Sequence, residues 1–134
     1  PNSIKPGKMP IFAAPVLLAM KDGEPVFAAS GSGGYRILTG VLHSFVNWAV
    51  HGMNLQDAIE APRVHSQSHD TFVDERLPQS VKEELAAMGH RIWEQRDVPG
   101  LNAFGRVSAV TRQPGSDRLS AAVFPAWRGG ASAL

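Results

Sequence analysis

A run of glycines near residue 33 joins an apolar, strand-like stretch to a strongly helical one. Residues 26–29 have the strand pattern, residues 30–34 read Ser-Gly-Ser-Gly-Gly, and helical periodicity begins at Tyr35. Glycine readily adopts the positive φ angles that such a connection needs, and the first N–H groups of a helix have no partner inside it. The stretch therefore predicts either a tight structural connection or a place that holds negative charge. That charge would be a phosphate, a carboxylate or the oxyanion of an acyl-transfer transition state.

Length and charge narrow the class of protein. The chain has 134 residues, a formal net charge of +1 and no cysteine. This length suits a single domain over residues 1–134, and the lack of cysteine excludes disulfides and thiol chemistry within it. Because the chain has no long run of like charges and no long apolar run, we expect neither a nucleic-acid partner nor a membrane-spanning segment. Nothing in the sequence requires a cofactor.

Turn signals and hydrophobic periodicity predict an α+β chain. A β-hairpin pairs residues 14–20 with 26–30 around Asp22-Gly23, and its almost continuous apolar runs predict that both of its faces are covered. The other predictions, in chain order, are an extended lead-in over 1–10, helices at 35–51 and 55–61, strands at 63–67 and 71–74, a helix at 78–88, a strand at 91–96, a loop at 98–105, and a second hairpin of 106–112 with 118–124. Antiparallel strands with helices packed on them favour the α+β class.

The glycine stretch departs from two nucleotide-binding motifs. Arg36 stands where the dinucleotide motif G-x-G-x-x-G has its third glycine, and no Gly-Lys-Ser/Thr follows as in a Walker loop. The adjacent glycines Gly33 and Gly34 can instead present consecutive N–H groups, which is what an oxyanion hole requires. Glycines alone also suit a tight strand-to-helix connection, so the motif leaves both interpretations open.

Histidine spacing offers a candidate metal site. His65 and His69 are four residues apart, a spacing that binds metal when both side chains lie on one helix. The segment between them has no helical pattern, and no HExxH motif or acidic third ligand accompanies it. We therefore expect no metal site. His43 and His51 are expected to face solvent or a helix interface.

Two serines lie at the strand-to-helix connection, where some hydrolases carry a nucleophile. Ser32 has a glycine on each side, and Ser30 precedes it, but the usual G-x-S-x-G pattern is not met. Small residues that fit a crowded turn are the favoured interpretation, so the sequence does not predict a serine triad.

Several motifs, in their order along the chain, resemble the small subunit of the γ-glutamyltransferases (γ-glutamyltranspeptidases). The resemblance covers nearly the whole chain and corresponds to the C-terminal two-thirds or so of that subunit. The matching pieces are Pro6-Gly7-Lys8-Met9-Pro10, Gly31-Ser32-Gly33-Gly34-Tyr35-Arg36-Ile37, His51-Gly52-Met53-Asn54-Leu55-Gln56-Asp57-Ala58, Glu60-Ala61-Pro62-Arg63-Val64-His65 and Pro125-Ala126-Trp127-Arg128-Gly129-Gly130-Ala131.

The resemblance implies part of an N-terminal-nucleophile hydrolase, with an α-β-β-α sandwich of antiparallel sheets and packed helices. In that family a precursor cleaves itself, and the new N-terminal threonine attacks the γ-glutamyl carbonyl with its own α-amine as base. By this resemblance Gly33 and Gly34 are the oxyanion donors, and Ser32 and Arg36 beside them are candidate substrate-binding residues. Ser32 takes the place of a proline that is usual in the family.

The same resemblance implies partners and a location. The partners are the large subunit and the N-terminal part of the small subunit of the same precursor, together with a small γ-glutamyl or other amide substrate. The nucleophilic threonine is expected upstream of Pro1, so the isolated chain is expected to be inactive. The family is mostly periplasmic or secreted.

One departure from the family concerns substrate recognition. Phe12-Ala13 stands where the family usually has a Ser-Ser pair that holds the substrate α-carboxylate. Neither side chain can form a hydrogen bond, and the loss of such polar contacts changes specificity strongly. The resemblance therefore leaves three functions open: a γ-glutamyltransferase, an amide acylase with a different acyl specificity, and a non-catalytic member that acts as a structural or anion-binding domain.

Overall fold

The computed structural model describes residues 3–11, 13–96 and 103–125. Within these ranges the elements are β1 (Leu17–Lys21), β2 (Glu24–Ser32), α1 (Arg36–Ala49), α2 (Leu55–Glu60), β3 (Val64–Gln67), β4 (Asp70–Asp74), α3 (Gln79–Ala87), β5 (Arg91–Gln95), β6 (Arg106–Arg112) and β7 (Leu119–Val123). The predicted helices and strands are confirmed, with ends shifted by a few residues. Phe12, most of the predicted 98–105 loop and the family-like C-terminal motif from Ala126 lie outside the described residues. No helix among the described residues has the length and apolar character needed to cross a bilayer.

Sheet A has the strand order β1-β2-β6-β7, and all its neighbouring strands are antiparallel. Its first hairpin turns at Asp22 and Gly23, whose φ angles are 53° and 83°. Two positive φ angles at the centre of a two-residue turn match the right-handed twist of the strands, which is why Asp-Gly predicted the hairpin. Sheet A thereby brings the end of β2 next to the start of β6.

Sheet B has the strand order β3-β4-β5. Strands β3 and β4 form an antiparallel hairpin, whereas β4 and β5 are parallel. A parallel pair needs a crossover connection, and α3 provides it. This βαβ unit is the one parallel pairing among the described strands.

The hydrophobic core lies between sheet A and the helices α1 and α2. Phe27 of β2 is its centre: its ring lies 5.2 Å from the ring of Phe45 and 5.1 Å from that of Trp48, both on α1. Ile37 and Val41 on the same helix are also buried. Aromatic contacts of this kind add to the free energy of simple apolar burial, so the face of α1 that follows the glycine stretch is firmly held.

The opposite face of sheet A is open within the described chain. Leu18, Met20 and Val110 are 60%, 55% and 42% exposed, and the strands border a shallow groove of about 590 Å³. The prediction that both faces of the first hairpin are covered is therefore wrong for these residues, because α1 and α2 lie on one side only. A large exposed apolar face of this kind is typical of an interaction surface.

Candidate functional site

The glycine stretch forms the connection between β2 and α1. Gly33 has a φ of 130° and Gly34 a φ of 66°, a region that residues with a Cβ rarely adopt. A Cβ built on Gly34 would meet no atom within 4 Å. The backbone conformation therefore favours glycine at position 34, and a Cβ there would meet open space.

The two N–H groups of this connection point to no acceptor in the described part of the chain. The structure records no hydrogen bond donated by the N–H of Gly33 or Gly34, whereas the carbonyl of Gly34 accepts one from the Ile37 N–H at 3.2 Å. The following helix, α1, runs for 14 residues, so its dipole favours negative charge at this end. The arrangement can hold an oxyanion or a carboxylate.

Ser32 and Arg36, the predicted substrate-binding residues, lie on either side of the glycine pair. Ser32 ends β2 opposite Arg106, with its side chain exposed. The Arg36 Nη1 donates to the Ala103 carbonyl at 2.9 Å, and its guanidinium lies 4.8 Å from the centre of the Phe72 ring. These contacts anchor the start of α1. Substrate binding by Ser32 or Arg36 stays a prediction, as does the oxyanion role of Gly33 and Gly34.

A second arginine, Arg63, holds the same region through hydrogen bonds to the 103–105 segment. It is 3% exposed and donates hydrogen bonds to the carbonyls of Phe104 at 3.2 Å, Gly105 at 2.7 Å and Ile59. Its guanidinium also lies over the Phe124 ring, 4.8 Å from the centre. Arg63 thus ties the end of α2 to the 103–105 segment, which in turn contacts Arg36. This role of Arg63 was not predicted, because a buried arginine has the same sequence pattern as an exposed one.

A buried imidazole lies beside the first turn of α1. His65 on β3 is 4% exposed, and its Nδ1 is 2.9 Å from the Thr39 Oγ1. Its ring stacks on that of Phe72, its cross-strand neighbour, with 6.4 Å between centres. Thr39 was not singled out from the sequence, because its partner is 26 residues away.

His43 on α1 is half-buried rather than solvent-facing. Burial lowers the pKa of His43, and the nearby positive charge of Arg63 and the neighbouring His65 lower it further. His43 is therefore held neutral near physiological pH. His51 is exposed, as expected for solvent.

The two histidines that are four residues apart, His65 and His69, lie in different surroundings. His65 lies on β3 and points to Thr39, while His69 lies in the exposed turn between β3 and β4. Among the described residues, no three His, Cys, Asp or Glu side chains are grouped to hold a metal ion.

Comparison with known proteins gives these features a family context. The family model described as gamma-glutamyltranspeptidase matches residues 1–134. The chain is 37% identical over 102 residues to the acylase ACY 1 proenzyme of Pseudomonas sp. (strain V22), covering 75% of this chain and 18% of that protein. It is 31% identical over 91 residues to the glutathione hydrolase proenzyme of Bacillus subtilis subsp. natto, covering 67% and 16%. The solved structure of gamma-glutamyltranspeptidase from Pseudomonas nitroreducens complexed with L-DON matches with a TM-score of 0.80 at 26% identity, over 99% of this chain and 68% of that one.

These matches confirm the predicted fold class. The described strands and helices are an α+β part of the sandwich found in N-terminal-nucleophile hydrolases. The chain spans less than a fifth of the length of these two curated relatives, 18% and 16%.

Proposed function

The chain belongs to the gamma-glutamyltranspeptidase family, and we propose that it is the oxyanion-binding part of an enzyme that cleaves γ-glutamyl amides such as glutathione. The acyl group passes to water or to the amine of an amino acid or peptide. The observation that carries this proposal is the Gly33–Gly34 pair at the start of α1, whose N–H groups donate to no acceptor among the described residues. A relative named glutathione hydrolase proenzyme supports the substrate class.

In this mechanism the glycine pair stabilises negative charge. The hydroxyl of an N-terminal threonine upstream of this chain attacks the amide carbonyl and gives its proton to the threonine α-amine. The carbonyl oxygen becomes an oxyanion that accepts hydrogen bonds from the N–H groups of Gly33 and Gly34. The amine product then leaves with that proton, and an acyl-enzyme remains. Water or a second amine attacks the acyl-enzyme, and the same steps in reverse release the threonine. Each preorganised donor of this kind contributes about 3 kcal/mol to transition-state stabilisation.

The open face of sheet A supports a partner in the same precursor. Exposed Leu18, Met20 and Val110 give this face an apolar surface, and in an α-β-β-α sandwich that face of a sheet packs against a second sheet. We propose that the upstream part of the small subunit, with the large subunit around it, covers this face. The isolated chain is then inactive, and the complete protein is periplasmic or secreted like most of the family.

A related acylase with a different acyl specificity is the second candidate. The ACY 1 acylase relative is 37% identical to this chain, and Phe12-Ala13 lacks the hydroxyls that hold an α-carboxylate. Phe12 lies outside the described residues, but the chain soon after it is fixed against β2, because the Ser30 hydroxyl donates to the Pro15 carbonyl at 3.1 Å. Pro15 is two residues after Ala13, and Ser30 is three residues before Gly33. We propose that position 13 lies near the glycine pair and contacts the acyl chain.

A panel of three anilides distinguishes the two candidates in the processed full-length protein. γ-Glutamyl p-nitroanilide carries both an α-carboxylate and an α-amine, the 4-aminobutyryl compound lacks the carboxylate, and the glutaryl compound lacks the amine. A γ-glutamyl enzyme prefers the first by at least about a hundredfold in kcat/KM, because its polar groups are left unpaired by the others. Comparable values for the first two compounds, or a preference for the glutaryl compound, would favour the acylase.

N-terminal sequencing of the bands on a denaturing gel tests whether the protein cleaves itself, which both candidate enzymes require. Two bands, of which the smaller begins with threonine upstream of Pro1, indicate self-cleavage. A single uncleaved band would instead favour the non-catalytic member. In that case, saturable binding of phosphate or glutamate by the full-length protein would identify an anion-binding domain at the start of α1.

A further inference from the structure

The buried side chain of His65 has no role in the mechanism above, yet it lies beside the first turn of α1. We propose that His65, acting through Thr39, is a positioning residue that fixes the direction of the Gly33 and Gly34 N–H groups. The proposal rests on the oxyanion role of those glycines and concerns how they are held.

A short chain of hydrogen bonds links the imidazole to the helix start. The Thr39 hydroxyl donates to the Arg36 carbonyl at 3.2 Å, and the His65 Nδ1 is 2.9 Å from the same hydroxyl. The other ring nitrogen, Nε2, lies 3.4 Å from the Gln67 Oε1, so the imidazole is held between Thr39 and Gln67. Its contact with Thr39 fixes the orientation of the hydroxyl. The Arg36 carbonyl that receives it is two residues beyond Gly34, in the turn that Gly34 closes with Ile37.

A second contact holds the same turn from the neighbouring strand. Phe72 is opposite His65 in the β3–β4 pair, and its ring lies under the Arg36 guanidinium at 4.8 Å from ring centre to Cζ. Sheet B therefore touches the start of α1 at two points, one a hydrogen bond and one a cation–π contact. When the Thr39–His65 hydrogen bond is lost, the Arg36–Phe72 contact and the core around Phe27 still hold α1 in place. The position of its first turn then becomes less precise. Small displacements of reacting groups have large effects on rate, and supports of this kind keep a site within the required tolerance.

The same sheet offers a matched control. His90 also has its Nδ1 near a threonine hydroxyl, 3.0 Å from the Thr71 Oγ1. Thr71 precedes Phe72 along β4 and so points to the opposite face of sheet B from His65. Removal of the His90 imidazole thus breaks a similar hydrogen bond in the same sheet without touching α1.

The test compares five variants of the processed full-length protein. Thr39→Val and His65→Leu remove the hydrogen bond, Thr39→Ser and His65→Asn keep a hydroxyl and a donor near the original position, and His90→Leu is the control. We expect the first two to lower kcat on the preferred anilide by about tenfold with KM within about twofold. We expect the conservative pair to keep most of the activity and the control to keep all of it. The double variant Thr39→Val/His65→Leu should be no slower than either single one, because both remove the same contact.

Amide hydrogen exchange supplies a readout that does not depend on catalysis. Faster exchange over residues 30–38 in Thr39→Val, but not in Thr39→Ser or His90→Leu, supports the positioning role. Unchanged exchange, or equal losses of kcat in Thr39→Val and Thr39→Ser, would overturn it. A different outcome is faster exchange in Thr39→Val with kcat unchanged both in these variants and in Gly34→Val. In that case the positioning role holds, and the oxyanion assignment fails.

Discussion

Gly105 lies directly against the backbone carbonyl of Arg36. A Cβ built on Gly105 would be 2.9 Å from that oxygen and 3.1 Å from the Cα of Ile37. The first turn of α1 and the segment held by Arg63 can approach this closely because position 105 has no side chain. The geometry of the glycine connection thus depends on a glycine more than seventy residues away.

Gly105→Ala should destabilise the protein more than a comparable glycine substitution elsewhere. Gly105 and Gly115 have almost the same φ, 73° and 70°, but a Cβ on Gly115 would meet nothing within 4 Å. Gly115→Ala isolates the cost of the left-handed backbone, about 1 kcal/mol. Gly105→Ala adds the clash with Arg36, about 1–3 kcal/mol more in the free energy of unfolding. Urea denaturation of both variants measures the difference, and equal losses would show that the close contact is relieved without cost.

Gly34→Val in the full-length enzyme should reduce turnover far more than substrate affinity. A β-branched residue cannot hold a φ of 66°, so the peptide rotates and its N–H no longer faces the oxyanion. We expect kcat to fall by about a hundredfold with little change in KM. Gly52→Val is the control, since Gly52 has a φ of 68° and equally open surroundings at the other end of α1. Steady-state kinetics that show unchanged turnover in Gly34→Val would remove the oxyanion assignment.

His43 should make the protein less stable in mild acid. Burial, with Arg63 and His65 nearby, lowers the pKa of His43 in the folded state. The unfolded chain therefore binds a proton more readily, and the stabilising contribution is complete above the ordinary histidine pKa of about 6.5 and is lost as the pH falls below it. Urea denaturation at about pH 7.5 and about pH 5.5 should show a smaller loss in His43→Gln than in the wild type. An NMR titration that finds an ordinary pKa for His43 would contradict this.

Asp74 should govern stability at lower pH. Burial by itself raises the pKa of Asp74, but the hydrogen bonds from the Arg76 side chain and N–H, with the charges of Arg76 and Arg63, outweigh burial and lower it. The side-chain bonds to Arg76 are 2.9 Å and 2.6 Å long. The carboxylate therefore stabilises the folded state above the ordinary aspartate pKa of about 3.9, and this is lost as the pH falls through the lowered folded value. Asp74→Asn should be less stable than the wild type at neutral pH. The gap should close in strong acid, and a gap that is independent of pH would point to packing instead of charge.

Local signals were enough to predict most of the fold. Asp22-Gly23 predicted the first hairpin because both residues take positive φ angles in the turn. Asn54, a residue type favoured as a helix cap, precedes α2, and its side chain accepts a hydrogen bond from the Asp57 N–H. Signals of this kind act between residues a few positions apart and can be read from a sequence directly.

The elements that escaped prediction depend on distant partners. The parallel pairing of β4 with β5 depends on how α3 packs and where it places the start of β5. The residue pattern of a strand does not contain this information. Lys82 is the buried residue of α3, because its Nζ donates to the Glu75 carbonyl at 3.0 Å and to the Glu94 carboxylate at 2.8 Å. A lysine is ordinarily taken to be exposed. In the candidate site, Gly33 and Gly34 were assigned as oxyanion donors through the family resemblance and stay a prediction, whereas Arg63 was given no role and Thr39 was not singled out.

The two faces of sheet A have different surroundings, because one packs in the hydrophobic core and the other is exposed. Side chains alternate along each strand, so residues such as Phe27 and Ala109 lie in the core of this chain while Leu18 and Val110 lie on the open side. Substitutions at exposed open-side positions such as Leu18 and Val110 spare the contacts of the core, and under the proposed assembly they are expected to act on subunit association and self-cleavage. Mutations on the two faces are therefore expected to give different phenotypes: unfolded protein when a core residue such as Phe27 is changed, and folded protein that fails to mature when an exposed residue such as Leu18 is changed.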